Sequence, residues 1–326
     1  MLKEKCSYFG KCGGCVWQDL SQQDYIAKKE SFVRHAFQDV GLQVELALMV
    51  LIPTGTRRRA SFAFMGSHFG YNEMKSHKIV DITDCPLLTP SINKILSALK
   101  HIIAQLKSNG DCFVLETTSG LDIHIKDKKG QPKLEQLEIL SALSQETSIV
   151  RVVYNNTPIF EKIPLPDTAD SFAQPSQAGE DALIHLMLDN VGQAKRAVDL
   201  FCGKGTFTTP LIDRGLAVIG YDNSTSVLAL GQNGKQRDLF RNPLVVDELK
   251  GIDLAVLDPP RAGALAQVQQ LAQSDVKTIV MISCNPKTAA RDIKTLTDNG
   301  WKIEKITPVD QFTYSNHIEL VAILKK

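Results

Sequence analysis

The period of apolar and polar positions changes along the chain, and each change marks an element. Ser21 sits where a helix N-cap is expected, with Asp24 in the capping-box position and Leu20 and Tyr25 spaced as a hydrophobic staple. This predicts a helix over about 22–40 that Gly41 terminates. Between 58 and 83 the runs RRASFAF, HFGYNE and HKIVDIT are parted by turn residues, Gly66 and Gly70 among them, and read as short antiparallel strands. Thr89-Pro90 opens a second helix, because Ile92, Ile95, Leu96, Leu99, Ile102, Ile103 and Leu106 share one face at helical spacing. Two further strands, 112–118 and 121–127, join through Ser119-Gly120, and the Lys/Gln/Pro-rich 126–133 reads as a mobile loop.

From about residue 166 strands alternate with helices. The runs AVDLF (197–201), AVIGYD (217–222), LAVLD (254–258) and TIVMIS (278–283) are short, apolar and bounded by polar turns, as strands buried on both faces are. WKIEKITPVD and HIELVAILKK complete the sheet as an antiparallel pair. The expected class is α/β: a C-terminal Rossmann-like domain over 166–326, a small antiparallel α+β domain over 46–165, and a cysteine-rich segment with a helix over 1–45.

Composition narrows the function. With 326 residues the chain has room for roughly two domains of about 150 residues each, with their own cores. The apolar run 44–52 falls short of the ~20 residues a membrane helix needs, and MLKEKCSYFGKCGG has no secretory core, which predicts a cytoplasmic protein without a membrane partner. Seven cysteines in a reducing compartment point to metal or catalytic chemistry rather than disulfides. A net charge of +1 excludes global attraction to polyanions. A nucleic-acid contact therefore needs a local patch, and Arg57-Arg58-Arg59 is the candidate, with strand alternation expected to expose at least one guanidinium.

The unusual chemistry of the C-terminal half lies at strand ends, where ligands collect in open α/β sheets. Asp199-Leu200-Phe201 runs into Cys202-Gly203-Lys204-Gly205, and glycine there leaves bare backbone for a ligand. Asp222 ends the next strand and can accept from ribose hydroxyls. A third glycine is missing, since Phe207 and Thr208 stand in its place, so an S-adenosylmethionine site fits better than a dinucleotide site. Cys284 ends another strand just before Asn285-Pro286, as either a projected nucleophile or an inert core thiol. Glu319 is a carboxylate inside an apolar strand, as either a base with a raised pKa or a solvent-facing edge residue.

Four motifs in order, DLFCGKGTF, LDPPRAG, ISCNP and DQFTYSNHIELVAIL, resemble those of the RNA uracil-C5 (5-methyluridine) methyltransferases. Cys6, Cys12, Cys15 and a distant Cys85 resemble the iron–sulfur ligands of the ribosomal-RNA branch; spacing alone leaves a 4Fe-4S cluster and a structural zinc both open, and the resemblance favours the cluster. With Cys6 so near the start, the N-terminal OB-type domain of some members is expected to be absent.

The resemblance makes 166–326 the S-adenosylmethionine-dependent methyltransferase domain and 1–45 the metal-cluster segment, and implies S-adenosylmethionine as cofactor, 23S rRNA as substrate with tRNA as the alternative, and a monomer. It makes Cys284 the nucleophile and Glu319 the base. It puts Phe201, Gly203, Gly205, Asp222, Asp238, Asp258 and Gln174 on the cofactor, with Asp238 at the adenine amino group. Phe172, where a plain core role stays open, and Arg261 are placed at the target base. Arg58 is expected on the RNA. A metal-stabilised RNA-binding protein without catalysis is the reading from a different class, and the presence of both Cys284 and Glu319 argues against it.

Overall fold

The computed structural model describes residues 6–165, 168–169 and 173–326, and these sort into two compact units that are each discontinuous in sequence. The first unit takes its described residues from Met1–Leu20, Ile52–Ala178 and Phe312–Ser315; the second comprises Ser21–Leu51, Gly179–Gln311 and Asn316–Lys326. Phe172 lies outside the described residues.

The first unit is a seven-stranded sheet. Named by first residue, its strands run in the order Ile79, His68, Arg59, Asn109, Gly120, Ile149, Thr157. Every neighbouring pair is antiparallel except Gly120–Asp127 with Ile149–Tyr154, which is parallel and is linked by a crossover through the helix Leu134–Ser141. Alternation in Arg59–Met65 buries Ala60, Phe62 and Phe64, which meet Ile92, Ile95, Leu96, Leu99 and Ile103 of the helix Pro90–Gln105 in one core. The strands at 149–154 and 157–161 add to the sheet that the sequence outlined only as far as 127.

The second unit is an eight-stranded sheet in the order Val50, Lys302, Glu319, Thr278, Leu254, Arg196, Ala217, Gly234. Glu319–Lys325 runs antiparallel to both neighbours, and the other pairs are parallel. From Arg196–Leu200 the chain first winds outward to Ala217–Asp222 and Gly234–Gln236, then returns to Leu254–Leu257 on the other side. That reversal is the topological switch point, where the strand ends leave a crevice for ligands.

The boundary at 45/46 cuts through what the structure keeps together. The helix Gln22–Gln38 buries Val33, Ala36 and Phe37 in the same core as Ala289, Ala290 and Ile293, and Val50–Leu51 adds a strand beside Val309 and Asp310, so 21–51 belong with the second unit. Of the apolar run 44–52 only Val50–Leu51 is strand; Val44, Leu46 and Met49 pack along the core as irregular chain. No helix among the described residues is long and apolar enough to cross a membrane.

Candidate active site

Four strand ends of the second unit carry the predicted chemistry. After Leu200, Phe201 takes a left-handed backbone conformation (φ 65°), and its amide and that of Cys202 both donate to the Tyr221 carbonyl of the next strand. A non-glycine residue costs about 1–2 kcal/mol there, a strain typical of ligand sites. Gly203 follows at φ 56°, and a Cβ added to it would meet nothing within 4 Å, so the loop shows open backbone on that side. The Gly203 amide donates to Asp222 Oδ2 (2.9 Å) and the Ser224 amide to Oδ1 (2.7 Å), which fixes the Asp222 carboxylate beside the glycine turn.

Asp238 Oδ1 accepts from the amides of Phe240 (3.0 Å) and Arg241 (3.3 Å), so this carboxylate also closes its own turn. The Phe240 ring is largely exposed and lies 5.3 Å from that of Phe201. Beneath the glycine turn the Asp199 carboxyl is fully buried: Oδ2 accepts from the Thr208 hydroxyl (2.6 Å), Oδ1 has no hydrogen-bond partner among the described residues, and burial lifts its pKa to about 7.

Past the switch point, Asp258 and Cys284 leave adjacent parallel strands. The loop after Asp258 is held to the helix Pro286–Thr297 that follows Cys284. Asn285 Nδ2 (2.9 Å) and the Thr288 hydroxyl (3.1 Å) donate to the Arg261 carbonyl, and the Ala264 amide donates to buried Asp292 (2.6 Å). The Arg261 guanidinium stands 3.3 Å from His317 Nδ1.

Ser283 pairs with Leu320 at the end of the antiparallel ladder, which leaves Cys284 and Glu319 each next to that pair, and Glu319 is close enough to act on the Cys284 thiol. Glu319 is 5% exposed; burial pushes its carboxyl up to about 7, against the pull of a hydrogen bond from Gln311 Nε2 (3.2 Å). Burial, then Glu319, then Asp258 push the Cys284 thiol up to about 11, while Arg261 pulls it down. Burial and the neighbouring Glu319 and Asp199 hold the Asp258 carboxyl well above the usual carboxylate range. A thiol, an arginine and carboxyls raised by burial can add a nucleophile to an electron-poor ring and move a proton on and off carbon.

The family model for tRNA (uracil-5-)-methyltransferases matches residues 234–326, the stretch that carries DPPR, SCNP and HIE. An uncharacterized RNA methyltransferase of Agrobacterium fabrum is 40% identical over 97% of this chain and 83% of its own length. The chain belongs to the RNA (uracil-5-)-methyltransferase family. The 23S rRNA (uracil(1939)-C(5))-methyltransferase of Vibrio campbellii is 28% identical, covering 98% of this chain and 81% of that relative. In fold, the chain is similar to the crystal structure of the Pyrococcus abyssi tRNA (uracil-54, C5)-methyltransferase in complex with S-adenosyl-L-homocysteine, with a TM-score of 0.74, 23% identity, and coverage of 95% of this chain and 85% of that one. The chain thus has a mixed α/β S-adenosylmethionine-dependent methyltransferase fold.

Cys6, Cys12, Cys15 and Cys85 of this methyltransferase all lie in the first unit and line one pocket, together with Tyr8, Arg57 and Tyr71. Hydrogen bonds tie the N-terminal loop to the sheet. The Gly13 amide donates to the Asn72 carbonyl (2.9 Å), the Thr83 amide to the Tyr8 hydroxyl (3.0 Å), and Asn93 clasps the Cys85 backbone from both sides (2.8 and 3.0 Å). Burial pushes the Cys15 thiol up to about 11. No three Cys, His, Asp or Glu side chains among the described residues converge on a point that one metal ion could fill.

The three arginines do not form the exposed patch that alternation predicted, because all are half-buried. Arg57 lines the cysteine cavity. Arg58 Nε donates to the Gln174 carbonyl (3.2 Å) and its Nη1 to the Gln177 side chain; Arg59 reaches the Ala173 carbonyl (3.5 Å). They hold the segment 173–177, where Gln174 is buried in the first unit, whereas Cys284 and Glu319 belong to the second. Gln311 and Asp199 were not singled out in the sequence: a glutamine after a strand and an aspartate inside one carry no pattern until their burial is known.

Proposed function

We propose that this protein methylates C5 of a uridine in structured RNA, 23S rRNA in the first instance, through a covalent adduct between Cys284 and C6 of the base. The observation that carries the reading is the nearness of Cys284 to Glu319, each next to the Ser283–Leu320 pair, with the carboxyl buried. Uracil C5 is too poor a nucleophile to take a methyl group unaided; a thiolate adding at C6 makes it one. Arg261 favours the thiolate. Glu319, charged for a good part of the time near neutrality, then removes the C5 proton so that the thiolate can leave.

S-adenosylmethionine, when bound, supplies the electrophilic methyl. We assign Phe201, Gly203, Gly205, Asp222, Asp238 and Asp258, all of the second unit, to its binding, on the family resemblance. The bare face at Gly203 and the fixed carboxylate of Asp222 suit a ribose against backbone. The ribosomal substrate rests on similarity over nearly the full chain to the 23S rRNA enzyme of Vibrio campbellii.

The four thiols fit a 4Fe-4S cluster better than zinc. They border one pocket, and the family resemblance is what favours a cluster there. The deciding experiment maps 5-methyluridine by mass spectrometry in 23S rRNA and tRNA from cells with and without the protein. Loss of one 23S site supports the reading, loss confined to tRNA moves the substrate, and no loss refutes it.

A further inference from the structure

The helix Gln22–Gln38 carries a buried charge that packing does not require. Lys29 has 0% exposure, and its ammonium donates to Asp310 Oδ1 (2.8 Å) and to the carbonyl of His317. Tyr25, one turn earlier on the same face, donates its hydroxyl to Asp310 Oδ2 (2.5 Å), and its ring lies 5.6 Å from the ammonium. Asp310 is itself 1% exposed and pairs through its backbone with Leu51.

A buried ion pair is seldom the most stable filling for a core, since an apolar set of similar volume often does as well or better. What it adds is direction: each group must meet its partner at one distance and angle. Here both ends of that constraint fall on the flanks of the proposed base. Asp310 immediately precedes Gln311, whose side chain bonds Glu319, and His317 lies two residues before Glu319 on the other side. Lys29 bridges the two flanks.

We propose that Tyr25, Lys29 and Asp310 are positioning residues that brace Glu319 from both sides, holding its carboxylate where it meets the C5 proton. This rests on Glu319 being the base. Neither Tyr25 nor Lys29 touches the reacting atoms; they act through Gln311 and the 317–319 backbone. Disturbing them slows proton removal and leaves cofactor affinity alone.

The test uses the full-length protein, tritium-labelled S-adenosylmethionine, and total RNA from cells lacking this protein. Tyr25→Phe removes one hydroxyl and preserves the packing; Lys29→Met is assayed alongside on its folded fraction, with Glu319→Gln as the benchmark. For Tyr25→Phe, turnover should fall roughly tenfold with the S-adenosylmethionine KM within about twofold, while labelled, denaturation-resistant protein–RNA adduct rises severalfold. Lys29→Met should shift the same way and further. A residue that only supports the fold would lower Tm without diverting enzyme into adduct. Wild-type turnover in both variants, or slowed turnover without adduct, overturns the brace provided Glu319→Gln accumulates adduct. If Glu319→Gln accumulates none, the base assignment itself fails and the brace with it.

Discussion

The side-chain amide of Gln311 stands 3.2 Å from the Glu319 carboxylate, inside a pocket that leaves both residues under 6% exposed. Burial drives the Glu319 pKa up to about 7 while this hydrogen bond opposes it, because an amide donor favours the charged form. Decay of a pre-formed adduct should therefore speed up with rising pH and be half-maximal near 7. Removing the donor with Gln311→Leu should move that limb to higher pH. A limb that stays put or moves down contradicts the assignment.

The same shift has a thermodynamic sign. A carboxyl whose folded pKa lies above its unfolded one binds more protons in the folded state between the two values, so stability falls as pH rises from about 4.5 to about 7. Glu319→Gln should raise Tm at pH 8 and leave it nearly unchanged at pH 4, measured by calorimetry. Equal effects at both pH values would mean that Glu319 is not held in a protonating environment.

Cys284 offers a separate electrostatic readout. Its thiol is pushed up to about 11 by burial, Glu319 and Asp258, and pulled down by Arg261. Alkylation by iodoacetamide, followed on the Cys284 peptide by mass spectrometry, should shift to lower pH in Asp258→Asn and to higher pH in Arg261→Gln. Shifts of the opposite sign would remove Asp258 and Arg261 from the thiol's surroundings.

For the cysteine cavity, protein purified without oxygen should be brown and contain iron and sulfide, and Cys15→Ser should lose colour together with thermal stability, since ligand binding contributes to folding. Stoichiometric zinc without iron would refute the cluster.

The parallel strands and their chemistry were legible because strands buried on both faces read as unbroken apolar runs, and their ends stand out as glycines, prolines and acids. Leu254–Leu257 and Thr278–Ser283 fall within the runs that predicted them. The grouping of the helix Gln22–Gln38 was not legible: its start was marked by Ser21, but which unit it joins depends on Val33, Ala36 and Phe37 meeting a helix more than 250 residues away. Lys29 was hidden for the same reason, since a lysine in KKES reads as solvated until Asp310, 281 residues later, is seen to face it. The arginine run misled because alternation predicts faces and not partners, and the 173–177 segment occupies the faces that Arg58 and Arg59 present.

The most direct test of the central claim is a denaturing gel of the full-length protein incubated with S-adenosylmethionine and total RNA from cells lacking it. Cys284→Ala should give no protein–RNA adduct, whereas Glu319→Gln should accumulate one that survives denaturation, because the first lacks the attacking sulfur and the second lacks the base that allows the sulfur to leave. An adduct from Cys284→Ala, or normal turnover by Glu319→Gln, would contradict the roles given to the two residues.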